Sequence, residues 1–434
     1  MTSAVPPPTV ARIVARTLLL AAGLLNAALA VLVAAPLPRL PLLVLVAGAI
    51  TSWSLVLLPP GLLGLAAAAL AGRRHPWCAG LAALASFAAL VYGVMPYAAA
   101  YGTAVRQGQP LAPARYFDGV NYAKVPDRAR TLTYARVPGP HGTGGSHGVS
   151  GPRGTGGTRG PHHARGAHRA KTQKLRLDLW ALPRRAAVRR PAVVWVHGGG
   201  WNKGHRSQTP EWNRWFNARG WSVFDVDYRL APGATQLDQI GDVKCAVGWV
   251  RRHARVYGLD PERLLLAGSS AGGNLALAAA YTEGDARVPA SCGAAPDTSV
   301  SGVVSLYGPT DMGRLIAGTA LRGDPMIPRL MGGSAASAPA RYRLGSPARL
   351  VRGDVPPTLL LHGSADRAVP VAQARELARR LKAVGAPATY VELPWADHCF
   401  DVNWGGWGSQ IARAATEHFL GTLDRSPYPR KGPA

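Results

Sequence analysis

The spacing of apolar and polar positions divides the chain into two parts of different character. The first 101 residues carry three long apolar tracts, at 17–35, 41–71 and 76–101, with few charged residues between them. Beyond residue 128, short apolar runs typical of buried strands alternate with stretches of helical periodicity. The pattern predicts a membrane region followed by one domain in which strands and helices alternate.

The alternating part predicts an α/β fold, with a mostly parallel sheet covered by helices on both faces. Strands are predicted at 192–197, 221–227, 263–267, 301–307, 357–362 and 388–393, and helices near 209–219, 236–256, 271–282, 371–384 and 408–423. Two earlier runs, 131–135 and 175–180, also have the pattern of strands. In such a sheet, ligands bind at the carboxyl ends of the strands.

The domain boundaries follow from the same pattern. A membrane region is expected at 1–101, a connector at 102–127, the α/β domain at 128–424 and a tail at 425–434. Within the domain, the Pro-, Gly- and Ala-rich stretch 309–350 is interpreted as a small cap over the pocket.

Each apolar tract approaches or exceeds the ~20 residues that a transmembrane helix needs. Arg12 and Arg16 precede the first tract, Arg73 and Arg74 separate the second from the third, and only Arg39 separates the first from the second. Because Lys and Arg stay on the cytoplasmic side, we expect a cytoplasmic N-terminus, three crossings and an α/β domain on the outer side.

Two other topologies stay open at this stage. A signal peptide cleaved after Ala35 would leave two crossings and the same final side, although Pro36 argues against cleavage there. If Pro59 and Pro60 join two separate passes, the α/β domain would be cytoplasmic. The stretch 61–72 is short for a pass, so a tilted continuation of the second tract is preferred.

A G-x-S-x-G motif carries the candidate chemistry. It occupies 268–272, after an apolar run and before a helical stretch, and this context lifts the middle serine above the sheet edge. A serine hydroxyl needs a base, and the base needs an orienting acid. We predict Ser270 as nucleophile, His398 as general base and then acid, and Asp366 as the acid that orients the imidazole.

Other residues are weaker candidates for these roles. Asp397 is adjacent to His398 in sequence, and Asp311 follows an earlier strand, so each is an alternative triad acid. His197 and His362 end strands and are interpreted as structural.

The motifs occur in the order glycine loop (His197-Gly198-Gly199-Gly200-Trp201), serine, acid and histidine. In this order they resemble the HGGG-type esterase and lipase branch of the α/β-hydrolases. The bacterial acetyl- and feruloyl-esterase-like enzymes are the nearest subgroup, followed by the hormone-sensitive-lipase-like enzymes. The resemblance implies ester hydrolysis through an acyl-serine intermediate, with no metal and no organic cofactor. It also implies an oxyanion hole formed by the N–H groups of Gly198, Gly199 and Ala271.

Several side chains are expected to shape the substrate pocket. Trp201 is predicted to bind substrate, and Trp404 and Trp407 are further candidates, with simple packing as the alternative for each. Cys399 follows the histidine where relatives often carry a small residue and an aromatic, and it is expected to narrow the pocket. Cys245 is expected in the core, and a pair between Cys292 and Cys399 is left open.

The net charge is +26, and a Gly-, His- and Arg-rich insertion at 139–174 contributes six Lys and Arg residues and no acidic residue. Without apolar periodicity it is predicted to be a disordered loop inside an early hairpin. Contact with acidic surfaces such as anionic headgroups is one hypothesis, and a solvated loop without a partner is the other. No specific nucleic acid partner is expected. The histidines of the insertion have no fixed geometry, so no metal site is predicted.

The sequence therefore predicts a membrane-anchored serine hydrolase that cleaves a small-molecule or lipid ester on the outer face. An amidase or peptidase that uses the same triad is an alternative, since the triad residues are the same for esters and amides. A non-catalytic membrane-anchored scaffold is the third reading. The acyl chain, the alcohol and the oligomeric state are not indicated.

Overall fold

An eight-stranded sheet with the order β1-β2-β4-β3-β5-β6-β7-β8 organises the chain. The computed structural model describes residues 10–34, 48, 50–71, 73, 75–120, 129–139, 172–182, 189–293, 297–318 and 325–425. The strands are β1 (Arg130–Pro138), β2 (Thr172–Trp180), β3 (Arg190–Val196), β4 (Ser222–Val226), β5 (Leu259–Ser269), β6 (Gly302–Leu306), β7 (Thr358–Gly363) and β8 (Ala388–Leu393).

The strand pairing confirms the prediction of a mostly parallel sheet. β1 and β2 form an antiparallel pair, β2 lies antiparallel to β4, and the remaining neighbours are all parallel. All eight predicted strands are present. The basic insertion falls between β1 and β2, and residues 140–171 lie outside the described part of the chain.

Helices occupy the connections between the strands, as the alternation predicts. They are α4 (Pro210–Ala218), α5 (Gln236–Arg252), α6 (Ala254–Tyr257), α7 (Ala271–Tyr281), α8 (Met312–Gly318), α9 (Met326–Met331), α10 (Pro339–Leu344), α11 (Ala372–Ala383) and α12 (Trp407–Arg425). α8, α9 and α10 lie within the predicted cap, of which residues 319–324 are outside the described part.

Local sequence explains where the central helix α5 begins. The Thr235 side chain accepts from the Asp238 N–H, and the Asp238 carboxylate accepts from the Thr235 N–H. This reciprocal capping box satisfies two N–H groups that would otherwise be unpaired at the helix start.

Strand β3 is buried on both faces, with Val193 and Val194 fully inaccessible. Its continuous apolar run matches a central parallel strand.

Before the sheet, the described part of the chain contains the helices α1 (Val10–Ala34), α2 (Leu58–Ala71) and α3 (Pro76–Arg106). Gly23 lies against Ala82, and three residues further along α1 Asn26 donates to the Ser86 hydroxyl, so α1 and α3 run in the same direction. The C-terminal half of α3 leaves this bundle and packs on the α/β domain, where Ala100 and Ala104 are buried.

By length and composition, one described helix, Pro76–Arg106, is long and apolar enough to cross a membrane. The apolar segments Arg16–Val31 and Ser54–Leu70 are also helical but shorter. The tracts predicted at 17–35 and 41–71 therefore contain helices in their described parts, while residues 41–47 lie outside them. Three crossings remain a prediction.

A disulfide joins Cys245 of α5 to Cys292, with their Cα atoms 5.8 Å apart. The sequence had placed Cys245 in the core and left open a pair between Cys292 and Cys399. That pair is not formed, and Cys399 is a free thiol. The reason is local: the Ser291 N–H donates to the Gly241 carbonyl at 3.1 Å, which holds the segment with Cys292 against α5.

Candidate active site

Ser270 occupies a sharp turn between β5 and α7. Its backbone has φ 53° and ψ −122°, a conformation that non-glycine residues rarely adopt. The turn packs closely against β3. A Cβ at Gly272 would lie 2.1 Å from the Val196 carbonyl oxygen, so this position requires glycine. The Ser270 N–H donates to the Leu306 carbonyl at 2.9 Å. The G-x-S-x-G motif thus presents the serine hydroxyl at the carboxyl end of the sheet.

The structure brings the three predicted triad residues together. Ser270 Oγ lies 2.9 Å from His398 Nε2, and His398 Nδ1 lies 2.8 Å from Asp366 Oδ2. Each distance is within hydrogen-bond range. Ser270 follows β5, Asp366 follows β7 and His398 follows β8, so three separate strand ends converge on one point.

The carboxylate of Asp366 is fully buried and accepts several hydrogen bonds. Its Oδ1 accepts from the N–H groups of Ala368 at 2.9 Å and Val369 at 2.7 Å, and its Oδ2 also contacts His362 Nε2 at 3.1 Å. Burial alone would raise the pKa of this carboxyl. The neighbouring His398 and His362 outweigh burial and hold the pKa of Asp366 well below its usual range, so the group is ionised.

The His398 imidazole responds to that charge. Burial alone would lower the pKa of His398, but the Asp366 carboxylate, by charge and by hydrogen bond, raises the pKa above its ordinary value. A raised pKa makes the imidazole a stronger base toward the Ser270 hydroxyl, provided that the pH keeps it neutral.

The glycine loop after β3 lies directly beside the serine. The His197 Nδ1–H donates to the Gly198 carbonyl at 2.6 Å, and the ring stacks on Tyr228 with centroids 4.3 Å apart. Burial lowers the pKa of His197 to about 4, so the ring is neutral at pH 7. Gly199 has φ 117°, and a Cβ there would lie 2.3 Å from the Lys203 carbonyl oxygen. The conformation of the loop therefore requires glycine at this position.

A cavity of about 330 Å³ opens onto Ser270 and His398. Gly198, Gly199 and Trp201 line one side, and Ala271 begins α7 immediately after the serine. Hydrophobic side chains of the cap and of the loop after β7 complete the wall: Leu315, Met326 and Val369. Cys399 also lines this cavity, so the thiol occupies part of the space beside the imidazole.

Comparison with known proteins agrees with this architecture. Residues 177–381 match the family BD-FAE. Esterase LipC of Mycobacterium tuberculosis is 34% identical over 253 residues, which cover 58% of this chain and 62% of LipC. The probable carboxylic ester hydrolase LipM of the same organism is 34% identical over 248 residues, covering 56% of this chain and 57% of LipM.

The chain is thus similar to α/β-hydrolases of the esterase and lipase group. The matched region spans less than two thirds of the length of LipC and of LipM. Among solved structures, Thermogutta terrifontis esterase 2 phosphoramylated by tabun covers 70% of this chain and 95% of its own, with 22% identity and a TM-score of 0.48.

The alternative acids do not contact the imidazole of His398. Asp397 directs its carboxylate to the backbone N–H of His398, at 2.7 Å, and to Arg367, not to the imidazole. Asp311 caps the start of α8 by accepting from the N–H groups of Gly313 and Arg314, at 3.0 and 3.1 Å. His362 Nε2 contacts Asp366 Oδ2 and the Val369 carbonyl, which agrees with a structural role.

Two of the candidate tryptophans, Trp404 and Trp407, do not line the cavity at Ser270. Trp407 packs against Tyr97 and Tyr116, with centroids 4.9 and 4.3 Å away, and Trp404 packs edge-on against Trp212 at 5.2 Å. Both pack in the hydrophobic cluster that includes Ala100 and Ala104, where helix α3 meets the sheet. The structure therefore favours the interpretation of Trp404 and Trp407 as packing residues.

A buried polar network beneath the histidine was not found by sequence reasoning. Asp401 is fully buried and accepts from the Tyr307 hydroxyl at 2.5 Å and from Trp212 Nε1 at 2.8 Å. The Tyr307 ring lies edge-on to His398, with centroids 4.7 Å apart. The network supports the loop that carries His398. An aspartate three residues after the histidine was the only signal in the sequence.

Proposed function

We propose that this hydrolase cleaves carboxylic esters through an acyl intermediate on Ser270. The observation that carries the proposal is the continuous hydrogen-bonded series from Ser270 Oγ to His398 and on to Asp366, at 2.9 and 2.8 Å. The group of relatives that includes LipC supports the same chemistry.

The proposed reaction has two halves. Ser270 Oγ attacks the ester carbonyl carbon while His398 Nε2 takes the hydroxyl proton, which gives a tetrahedral intermediate with a negative oxygen. His398 then returns the proton to the departing alcohol oxygen, and the acyl-serine remains. In the second half, His398 removes a proton from water, the resulting hydroxide attacks the acyl carbon, and Ser270 regains the proton as the acid leaves.

The negative oxygen of each intermediate needs N–H donors. We propose those of Gly198, Gly199 and Ala271, because the glycine loop and the start of α7 flank the serine. The position of a Cβ at Gly198 is only 3.3 Å from Ser270 Cβ, so the loop backbone is close enough to approach the reacting carbon. Each preorganised donor of this kind stabilises the transition state by about 3–4 kcal/mol.

The cavity favours short acyl chains. Its volume of about 330 Å³ is at the low end of the ~300–1,000 Å³ of small-molecule pockets. The space for an acyl chain is bounded by Met326 and Leu315 of the cap and by Trp201 of the glycine loop. We infer that acetyl to butyryl esters fit better than palmitoyl esters. Met326→Ala should shift the preference toward longer chains, and the volume-conserving Met326→Leu should not.

We also propose that the N-terminal helices anchor the enzyme in a membrane with the catalytic domain on the outer side. Since α1 runs in the same direction as α3, the start of α1 with Arg16 lies at the same end of the bundle as Arg73, between α2 and α3. Basic residues collected at one end favour the cytoplasmic side there. The Cys245–Cys292 disulfide supports an oxidising location for the domain.

The activity is tested on the full chain purified in a non-ionic detergent. Hydrolysis of p-nitrophenyl acetate, butyrate and palmitate is compared for the wild type, Ser270→Ala and the exposed control Ser334→Ala. We expect turnover of the short esters that disappears in Ser270→Ala and is unchanged in Ser334→Ala. The matching p-nitroanilides test the amidase alternative.

Labelling with a fluorophosphonate separates catalysis from a binding scaffold. A nucleophilic Ser270 should be labelled in the wild type and not in Ser270→Ala. If the folded wild type neither reacts with the probe nor hydrolyses any of these substrates, the proposal of an esterase is wrong.

The proposed topology needs its own test. Reporter fusions after Arg73 and after Arg106 are compared in a bacterial host, with alkaline phosphatase active only outside and green fluorescent protein fluorescent only inside. We expect fluorescence after Arg73 and phosphatase activity after Arg106. The reverse pattern, or the same side for both positions, would contradict the proposed anchor.

A further inference from the structure

A separate cavity of about 300 Å³ lies where the connector after α3 meets α4 and α12. It shares no lining residue with the cavity at Ser270. Its walls combine three arginines, two tryptophans and two glutamines with one aspartate: Arg115, Arg219, Arg413, Trp215, Trp404, Gln109, Gln410 and Asp118. This composition is unlike that of the predominantly apolar cavity at the serine.

The guanidinium groups of two of the arginines lie over tryptophan rings. The Arg219 guanidinium carbon lies 4.0 Å from the centre of the Trp215 ring, and that of Arg413 lies 4.2 Å from the centre of the Trp404 ring. Arg413 also donates from Nη1 to the Trp404 carbonyl. Such stacking fixes the plane of a guanidinium and reduces the rotamer entropy that it loses on binding a ligand.

The positive charge in this cavity is only partly compensated. Arg219 pairs with Glu417 at 2.8 Å, and the exposed Arg115 pairs loosely with Asp118 at 3.9 Å. Within the described part of the chain, Arg413 has no carboxylate within ion-pair distance. Burial, followed by the charges of Arg219 and Arg115, lowers the pKa of Arg413 to about 10. At neutral pH Arg413 therefore remains charged, and the guanidinium groups of Arg219 and Arg115 repel it.

The connector that carries Arg115 is fixed to the hydrolase domain. The Gln410 side chain accepts from the Ala112 N–H at 2.8 Å and donates to the Ala112 carbonyl at 3.2 Å. Further along, the Trp404 N–H donates to the Gly119 carbonyl at 3.2 Å. Arg115 is thus carried by a backbone segment that is held at both ends.

We propose that this cavity, lined by Arg115, Arg219 and Arg413, is a binding site for a phosphate group. The planar N–H pattern of a guanidinium matches two oxygens of a phosphate, and a dianion or monoanion between the three arginines would remove their mutual repulsion. The phosphate belongs either to an anionic lipid headgroup, since the site follows α3 directly along the chain, or to a soluble phosphate ester.

The test uses the full chain in a non-ionic detergent, with inorganic phosphate and glycerol phosphate as probes. Binding is measured by calorimetry, and thermal unfolding is followed at constant ionic strength with chloride as the reference anion. We expect phosphate to bind and to raise the unfolding temperature more than chloride. Affinity should fall about tenfold or more in Arg413→Gln and in Arg115→Gln, because each loses a charge-assisted hydrogen bond.

Matched variants keep the result interpretable. Arg115 is largely exposed, so Arg115→Gln should fold even if Arg413→Gln does not. Arg379→Gln removes an exposed arginine on α11, far from the cavity in the fold, and should leave phosphate affinity unchanged. Equal binding by all variants, or no response to phosphate beyond that to chloride in detergent and in lipid, would overturn the proposal.

Lipid nanodiscs distinguish the two sources of the phosphate. A lipid headgroup is indicated if phosphatidylglycerol nanodiscs, relative to phosphatidylcholine, stabilise the wild type but not Arg115→Gln, while the free phosphates bind weakly. A soluble ester is indicated if glycerol phosphate binds equally well in detergent and in either nanodisc. Both readouts are independent of ester hydrolysis, so they do not depend on the proposed activity.

Discussion

The carboxylate of Asp397 binds the guanidinium of Arg367, and this buried ion pair joins the two loops that carry Asp366 and His398. Asp397 also accepts from the backbone N–H groups of Arg367 at 2.9 Å and of His398 at 2.7 Å. The two side chains are 7% and 1% exposed, so water does not compete for these contacts. The pair fixes the separation of the proposed acid and base without touching the substrate cavity.

Asp397→Asn should therefore lower kcat with little change in KM. The loop that carries His398 would shift relative to Asp366, and a displacement of about 1 Å at a reacting group costs about 100-fold in rate. We expect a loss of about 10- to 100-fold on p-nitrophenyl butyrate, measured with protein shown to be folded by circular dichroism.

Two further variants test the same ion pair. Arg367→Lys keeps the charge and should retain more activity than Arg367→Gln. Asp354→Asn breaks an exposed pair with Arg352 and should leave kcat unchanged. A kcat within twofold of wild type for folded Asp397→Asn would refute the positioning role.

The pH dependence of kcat/KM should report the ionisation of His398. The imidazole must be neutral to accept the Ser270 proton, so activity is lost as the pH falls through its pKa. Because Asp366 raises that pKa, the acid limb should lie above the ordinary histidine value of 6.5. A stopped-flow pH profile of the wild type on p-nitrophenyl acetate measures it.

Asp366→Asn removes the charge that raises this pKa. The acid limb of the residual activity should move to lower pH, and the rate should fall by about 10⁴-fold because the imidazole loses its orienting partner. An acid limb that stays in place in this variant would show that another group controls it, and Asp366 would lose its assigned role.

The candidate triad was predictable from sequence because each residue follows an apolar strand of a parallel sheet. Ser270, Asp366 and His398 come after β5, β7 and β8, and the carboxyl ends of parallel strands meet at one edge. The strands themselves were visible as continuous apolar runs. Local pattern and chain order were enough to place these residues together.

Long-range packing was not predictable in this way. The Cys245–Cys292 bond depends on how the segment after α7 lies against α5, and apolar periodicity does not encode that approach. The same is true of Trp404, which packs against Trp212 of α4, and of Trp407, whose partners Tyr97 and Tyr116 come from α3 and the connector. Arg367 and Asp397 carry no sequence motif, because their role arises only when two loops meet.

Tyr116 links the N-terminal region to the hydrolase domain, and its loss should destabilise both. Its hydroxyl donates to the Ser52 carbonyl at 3.0 Å, its ring lies 4.3 Å from that of Trp407, and the side chain is fully buried. Tyr116→Ala should cost about 3–5 kcal/mol of unfolding free energy, as for other large buried aromatics.

The neighbouring residue provides the control for this measurement. Phe117 is 62% exposed, so Phe117→Ala should change the unfolding free energy by less than about 0.5 kcal/mol. Urea unfolding of both variants in detergent compares them directly. Equal stability of the two variants would mean that the contacts of Tyr116 do not hold the regions together. These contacts are also a reason to assay the full chain and not the hydrolase domain alone.

The Cys245–Cys292 disulfide should stabilise the hydrolase domain. It closes a loop with a sequence separation of 47 residues, and a cross-link of this kind typically contributes about 2–4 kcal/mol, mainly by restricting the unfolded chain. The double variant Cys245→Ser/Cys292→Ser should unfold at a lower urea concentration than the wild type. Cys399→Ser, which removes a free thiol, should retain the disulfide and most of the stability.

A reducing agent separates the effect of the bond from that of the two substitutions. Reduction should lower the urea midpoint of the wild type and of Cys399→Ser, and it should leave that of the double variant unchanged. Such a bond persists only where the surroundings are oxidising. Protein isolated from its native cells with thiol-blocking reagent present should therefore carry two blocked cysteines, Cys78 and Cys399, on mass analysis. Four blocked cysteines would contradict both the bond and the proposed outer location.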